Sequence, residues 1–200
     1  MPIERFVQSQ IAATPWKNGG GRTREIVCRP TGSGMDRFDW RVSIAQISAD
    51  GSFSTFLGVD RIIVLLHGAG VRLRSSNGRM DHRLGDRWKP FAFSGDEVID
   101  ATLLGGASSD FNVMTRRSTT SATMEILESE GAVLPSRGGV LFAARGVWSA
   151  VPSDGGRYRA AQRFETGEGV WWDEEPHAWN AVPLTADSAM IAVRISPRGS

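Results

Sequence analysis

The chain has 200 residues, enough for one large β domain or two of roughly 100 residues, each able to bury a core. Its 23 Lys and Arg nearly balance 22 Asp and Glu, which leaves no field of one sign to gather nucleic acid or an anionic membrane. The single cysteine, Cys28, excludes an internal disulfide framework and a cysteine-based zinc site. With no signal-peptide run after Met1 and Pro2 and no stretch near 18 apolar residues, the expectation is a cytoplasmic protein without a membrane span.

In chain order, the first predicted strand covers residues 22–28, after a turn at 18–21. Residues 38–44 alternate with period two: Phe38, Trp40, Val42 and Ile44 share one face, Asp39, Arg41 and Ser43 the other. Residues 61–67 are aliphatic and β-branched, Gly68-Ala69-Gly70 interrupts them, and 71–74 resume, which predicts a hairpin. Further strands are expected at 97–104, 110–114, 123–127, 139–144, 170–172 and 189–195. Turn residues recur every 8 to 12 positions, the last cluster at 154–156, and no long amphipathic helix competes. The fold class is therefore all-β, with the sheets closed into barrels or jelly rolls to limit exposed edges. A Ser/Thr-rich stretch at 117–122 marks the softest boundary and divides the chain into 1–117 and 118–200, with exchange of strands between the halves left open.

Several residues could carry chemistry. Trp16-Lys17-Asn18-Gly19-Gly20-Gly21 sets an aromatic ring, an ammonium and an amide beside three glycines; it is either a tight turn or a place where backbone approaches a ligand. It is no phosphate loop, because the GKS/GKT ending is missing. Arg41 and Ser43 share the polar face of a strand whose other face is strongly apolar; if that face is covered, the arginine enters an interior and needs an anionic ligand or a carboxylate such as Asp39 or Glu25. Arg61 opens an apolar strand, and Asp110, Asn112 and Met114 share one face of theirs; a guanidinium fork and an amide suit a small polar anion. The three histidines, His67, His82 and His177, form no metal-ligand spacing, and neither Ser43 nor Ser54 sits in a nucleophile elbow.

Four blocks in order, TPWKNGGGRTREI at 14–26, FDWRVSIAQISADGSFSTFLGVDRIIVLLHG at 38–68, FSGD at 93–96 and DFNVMTRR at 110–117, resemble the HutD/Ves family of bacterial bicupins. The resemblance implies a cupin-superfamily fold of two β-barrels of the double-stranded β-helix type. It also implies a regulatory role in histidine utilisation through sensing an intermediate such as N-formylglutamate. Set against the general cupin metal motif with its final glycine on Gly68, Arg61 stands where the metal-binding glutamate would be, and Ser54 and Phe56 near the two histidines. The expectation is a barrel with no metal and no cofactor, in which Arg61 brings the positive charge. A small carboxylate would then be held by Lys17, Asn18, Arg41, Ser43, Ser54, Arg61, Asn112 and Arg116. Binding is the leading function; an isomerase or hydrolase using Glu25, Asp96 or Asp110 as base is the first alternative, and a protein-interaction module the second. The apolar strand faces and seven tryptophans suggest a homodimer.

Overall fold

The computed structural model describes residues 3–154, 157–158 and 160–198. Met1, Pro2 and most of the turn expected at 154–156 lie outside them. The described chain forms two compact units, one of Ala12–Ser121 with Arg198, the other of residues 3–11 with Ala122–Pro197.

The chain opens with β1 (Glu4–Val7), which belongs to the second unit. The first unit contains β2 (Ala13–Pro15), β3 (Gly21–Arg29), β4 (Trp40–Ile47), β5 (Gly51–Phe53), β6 (Val59–His67), β7 (Val71–Ser75), β8 (Asp81–Leu84), β9 (Phe91–Ser94), β10 (Ile99–Leu103) and β11 (Ser108–Arg116). They pair into two antiparallel sheets, ordered β2-β3-β4-β11-β6-β9 and β5-β10-β7-β8. Ile47, Ile63 and Leu65 from the first sheet pack with Val71, Leu73, Leu84, Ile99 and Ala101 from the second, so the core lies between the sheets. Because side chains alternate along a strand, Ile47 fixes Arg41, Ser43 and Ala45 on the core face of β4. Trp40, Val42 and Ile44 on the opposite face are buried as well.

The second unit adds β12 (Thr120–Leu127, entering the unit at Ala122), β13 (Gly131–Ser136), β14 (Gly138–Arg145), β15 (Trp148–Asp154), β16 (Arg157–Tyr158), β17 (Gln162–Phe164), β18 (Glu168–Trp172), β19 (His177–Pro183) and β20 (Ala189–Pro197). One sheet runs β1-β18-β14-β20-β12, the other β13-β19-β15-β16 with β17 also on β15. Their shared core holds Trp148, Trp172, Trp179 and Phe164 among aliphatic residues.

The all-β, jelly-roll expectation holds: among the described strands each unit is a sandwich of two sheets rather than a hydrogen-bonded ring. One expectation is revised. The hairpin expected at 61–74 does not exist, because β6 and β7 lie in different sheets. Gly68 and Gly70 both sit at φ +90, and the Gly70 amide donates to Ser108 Oγ at 2.8 Å, so the chain turns a corner between sheets here. Among the described residues, no helix is long and apolar enough to cross a membrane.

Candidate functional site

The core face of the six-stranded sheet changes from apolar to polar toward one end. Register places Ser43 between Glu25 of β3 and Asn112 of β11, and sets Met114 between Arg41 of β4 and Arg61 of β6. Arg41, Ser43, Arg61 and Asn112 are thus brought together, all of them buried.

The two arginines are balanced differently. Arg41 Nε donates to Glu25 Oε2 at 2.7 Å, and its Nη1 reaches Ser43 Oγ at 3.3 Å and Met114 Sδ at 3.8 Å. The alternative partner, Asp39, instead accepts a bond from Thr119 Oγ1. Arg61 makes no salt bridge among the described residues; its Nε and Nη2 share Asn112 Oδ1 at 3.4 and 3.3 Å, both long for such bonds. Three rings surround its guanidinium carbon instead: Phe93 at 5.0 Å, Phe53 at 5.2 Å and Phe56 at 5.9 Å. Such cation–π contacts support a cation but do not neutralise it. Burial lowers the Arg61 pKa to about 10, against the opposing pull of Asp110, so it stays charged at neutral pH.

Asp110, on the same face of β11, is 3% exposed, and its Oδ2 has no hydrogen-bond partner among the described residues. Burial pushes its carboxyl up to about 7, with Arg61 acting in the other direction. The sequence places it on one face with Asn112 and Met114 and offers it as one of three alternative bases. Asp96, another of those, is engaged structurally: its Oδ1 accepts the Gly58 amide at 2.6 Å, and its Oδ2 accepts from Ser94 Oγ and Arg117 Nη1, each at 2.9 Å. Together with the reciprocal bonds between Gly95 and the backbone of Phe56 and Val59, each 2.7 Å, this makes the FSGD block a clamp on the loop that carries Phe56.

The other expected ligand-binding residues make no hydrogen bond to this cluster among the described residues, but they flank its rings: Ser54 follows Phe53, and Trp16, beside Lys17, meets the Phe53 ring edge-on. Lys17 is exposed on its turn, and Asn18 Oδ1 accepts the Gly20 amide at 3.0 Å. The glycine run serves that turn: Gly19 has φ +71, the Gly20 carbonyl accepts from the Ser48 and Ala49 amides at 2.8 and 3.2 Å, and a Cβ on Gly21 would strike the Gln46 carbonyl and the Trp16 ring. Ser54 is exposed in the loop after β5. Arg116 donates to the carbonyls of Phe38 (3.0 Å) and Asp36 (2.6 Å) and lies over the Phe38 ring. Phe53 and Phe93 were missed as site residues; aromatics in short alternating strands read as ordinary core, and no sequence spacing shows that three strands converge on Arg61.

Many proteins of this fold hold a metal ion, and the residues here do not fit one. Among the described residues no three His, Cys, Asp or Glu side chains cluster to hold a cation. The interior presents two guanidiniums, one of them paired with Glu25, an amide already accepting from the other, and one buried carboxyl, Asp110, a donor set unlike that of a divalent-metal site.

Two jelly-roll units, the first enclosing a cluster of two guanidiniums, an amide and a carboxyl, define a two-unit fold of the cupin type. The chain belongs to the HutD family, matching it over residues 8–191. It is 39% identical over 184 residues to Protein Ves of Escherichia fergusonii, covering 92% of this chain and 90% of the relative. Over 147 residues it is 42% identical to Protein Ves of Citrobacter koseri, covering 73% and 75%. HutD from Pseudomonas fluorescens SBW25, solved in a formate condition, superimposes with a TM-score of 0.83 at 25% identity, covering 99% of this chain and all of that one. An oxalate decarboxylase of Lactobacillus farciminis, solved as a formate complex, shares the fold at a TM-score of 0.62 and 11% identity, covering 98% and 87%.

Proposed function

We propose that the first unit is a metal-free receptor for a small organic acid, and that binding, in the service of histidine utilisation, is the functional event. The observation that carries the reading is Arg61, a buried guanidinium caged by three phenylalanines and lacking a carboxylate partner among the described residues. A buried cation without a counter-ion is costly, and a ligand carboxylate removes that cost with a two-pronged hydrogen bond. Arg41, already matched by Glu25, holds the neighbouring wall and orients Ser43. Membership of the HutD family supports the assignment to histidine utilisation, and N-formylglutamate, the intermediate that the sequence resemblance implies, is the first acid to try.

The test is calorimetric titration of metal-stripped protein with N-formylglutamate, urocanate, histidine and glutamate, repeated on Arg61→Met. Methionine fills the cage without the charge. Binding of one acid that disappears in the variant is the expected result; absence of binding by all four sinks the reading. Asp110 favours a second reading, an acid–base enzyme acting on the same acid, because a buried carboxyl near 7 can exchange a proton at neutral pH. Turnover of the bound acid by wild-type protein, lost in Asp110→Asn, would select that reading.

A further inference from the structure

The second unit has a polar end of its own. His177 and Trp179 share the core face of β19, and a register shift in β13 between Val133 and Ser136 sets Ser136 opposite His177. Ser136 Oγ and Trp179 Nε1 are both buried with no hydrogen-bond partner among the described residues, although almost every buried polar atom in a folded protein has one. Trp172 joins the two: its ring centroid lies 5.8 Å from that of Trp179, and its Nε1 donates to the Ser136 carbonyl at 2.9 Å. The same indole occupies the space beside Gly139, where a Cβ would strike it. Gly139 pairs across the sheet with Arg194 of β20, and Ala192, two residues before it in the core, fixes Arg194 on this face. Arg194 Nη2 is held by Glu125 Oε1 at 3.1 Å.

We infer that this end of the second unit binds a small uncharged carbonyl compound, of the class of primary amides, in preference to a carboxylate. An indole N–H only donates, so the occupant must bring an acceptor; a serine hydroxyl donates and accepts, so the occupant can carry a donor as well. A carboxylate also brings an acceptor, but its charge would be buried without a cation, because the guanidinium at this end is already matched by Glu125. A carbonyl oxygen satisfies the indole at no such cost. The neighbouring Val133, Val170 and Trp172 side chains favour a short hydrocarbon group on the other side of the carbonyl.

The probes are acetamide and acetate, alike in shape and different in charge, titrated into nitrogen-15-labelled protein at pH 8, above the ordinary imidazole range. The reporter is the Trp179 indole N–H resonance, assigned with Trp179→Phe, and the Trp16 indole, bonded to Thr23 Oγ1 in the first unit, is the control. Acetamide should shift the Trp179 signal saturably at about millimolar concentration and leave Trp16 in place, with acetate at least about 10-fold weaker. Ser136→Ala should weaken acetamide by about 3- to 10-fold. Glu125→Gln, at a half-exposed position, releases Arg194 and should strengthen acetate until the preference falls below about 3-fold. A Trp179 signal that neither probe moves, as when the position takes an ordered water only, overturns the inference. So does an equal response to the two probes in wild type, or a preference that Glu125→Gln leaves unchanged. If Ser136→Ala does not fold, the wild-type and Glu125→Gln comparisons decide.

Discussion

Replacing Asp110 by asparagine keeps the side chain's size and removes its charge, and the effect on stability should depend on pH in a defined direction. The folded carboxyl is raised to about 7 by burial, while in the unfolded chain it titrates near 4. Below about pH 4 both states are protonated, and any advantage the raised value gives the fold is fully present. Between pH 4 and 7 the unfolded chain releases its proton and the folded chain keeps it, so wild-type stability falls by about 1.4 kcal/mol per pH unit. The accumulated loss is on the order of 4 kcal/mol by pH 8. Asparagine has no such dependence. Carboxylates held low by partners, such as Asp96 beside the Gly58 amide and Arg117, or Glu168 beside the Glu165 amide and Arg5, push stability the other way as pH rises. They are common to both proteins and cancel in the difference. Urea unfolding of wild type and Asp110→Asn at half-unit steps from pH 4 to 8 measures that difference directly. Asparagine should gain on wild type steadily over the range, and a difference that stays constant with pH would refute the account of Asp110 as a desolvated, unpartnered acid.

Further outcomes follow from the same geometry. Arg61 is the charge that holds Asp110 below the value burial alone would give; in Arg61→Met the Asp110 carboxyl, followed by carbon NMR, should titrate at higher pH than in wild type. Trp172 and Trp179 are both fully buried in the second unit, but Trp172 Nε1 donates to the Ser136 carbonyl at 2.9 Å, whereas Trp179 Nε1 has no partner among the described residues. Trp172→Phe should therefore destabilise by about 1–2 kcal/mol more than Trp179→Phe, since only the former breaks a bond and strands a buried acceptor; chemical denaturation of the two variants checks this. Asp96→Ala releases the Gly58 amide and one anchor of Arg117, so amide exchange at Gly58 and Val59 should accelerate, and acid binding should weaken as Phe56 loses its fixed place over Arg61.

Local pattern carried much of the fold. The alternation of 38–44 identified both faces of β4, and the longest aliphatic runs, β6, β14 and β20, were located to within a few residues, because burial between two layers selects such runs directly. Strands such as β8, β15 and β19 escaped, since short half-exposed segments mix polar and small residues and turn signals alone do not distinguish them. The site divides in the same way. Arg41, Ser43, Arg61 and Asn112 could be singled out because a charge or amide in an apolar strand is conspicuous. Lys17 and Asn18 lie on a turn that the glycine run shapes, beside Trp16, which packs on Phe53 of the Arg61 cage.

By itself, then, the sequence determined an all-β chain of the HutD family with unusual polar residues on core-facing strand positions, because periodicity and composition are local properties. Only the tertiary structure decided which charges are matched. Glu25 bonds Arg41 from across a strand pair, whereas among the described residues Arg61 has no salt bridge and feels Asp110 only at longer range. Strand register and the corner at Gly68–Gly70 settle such pairings between residues far apart in the chain, and no spacing along the sequence encodes them.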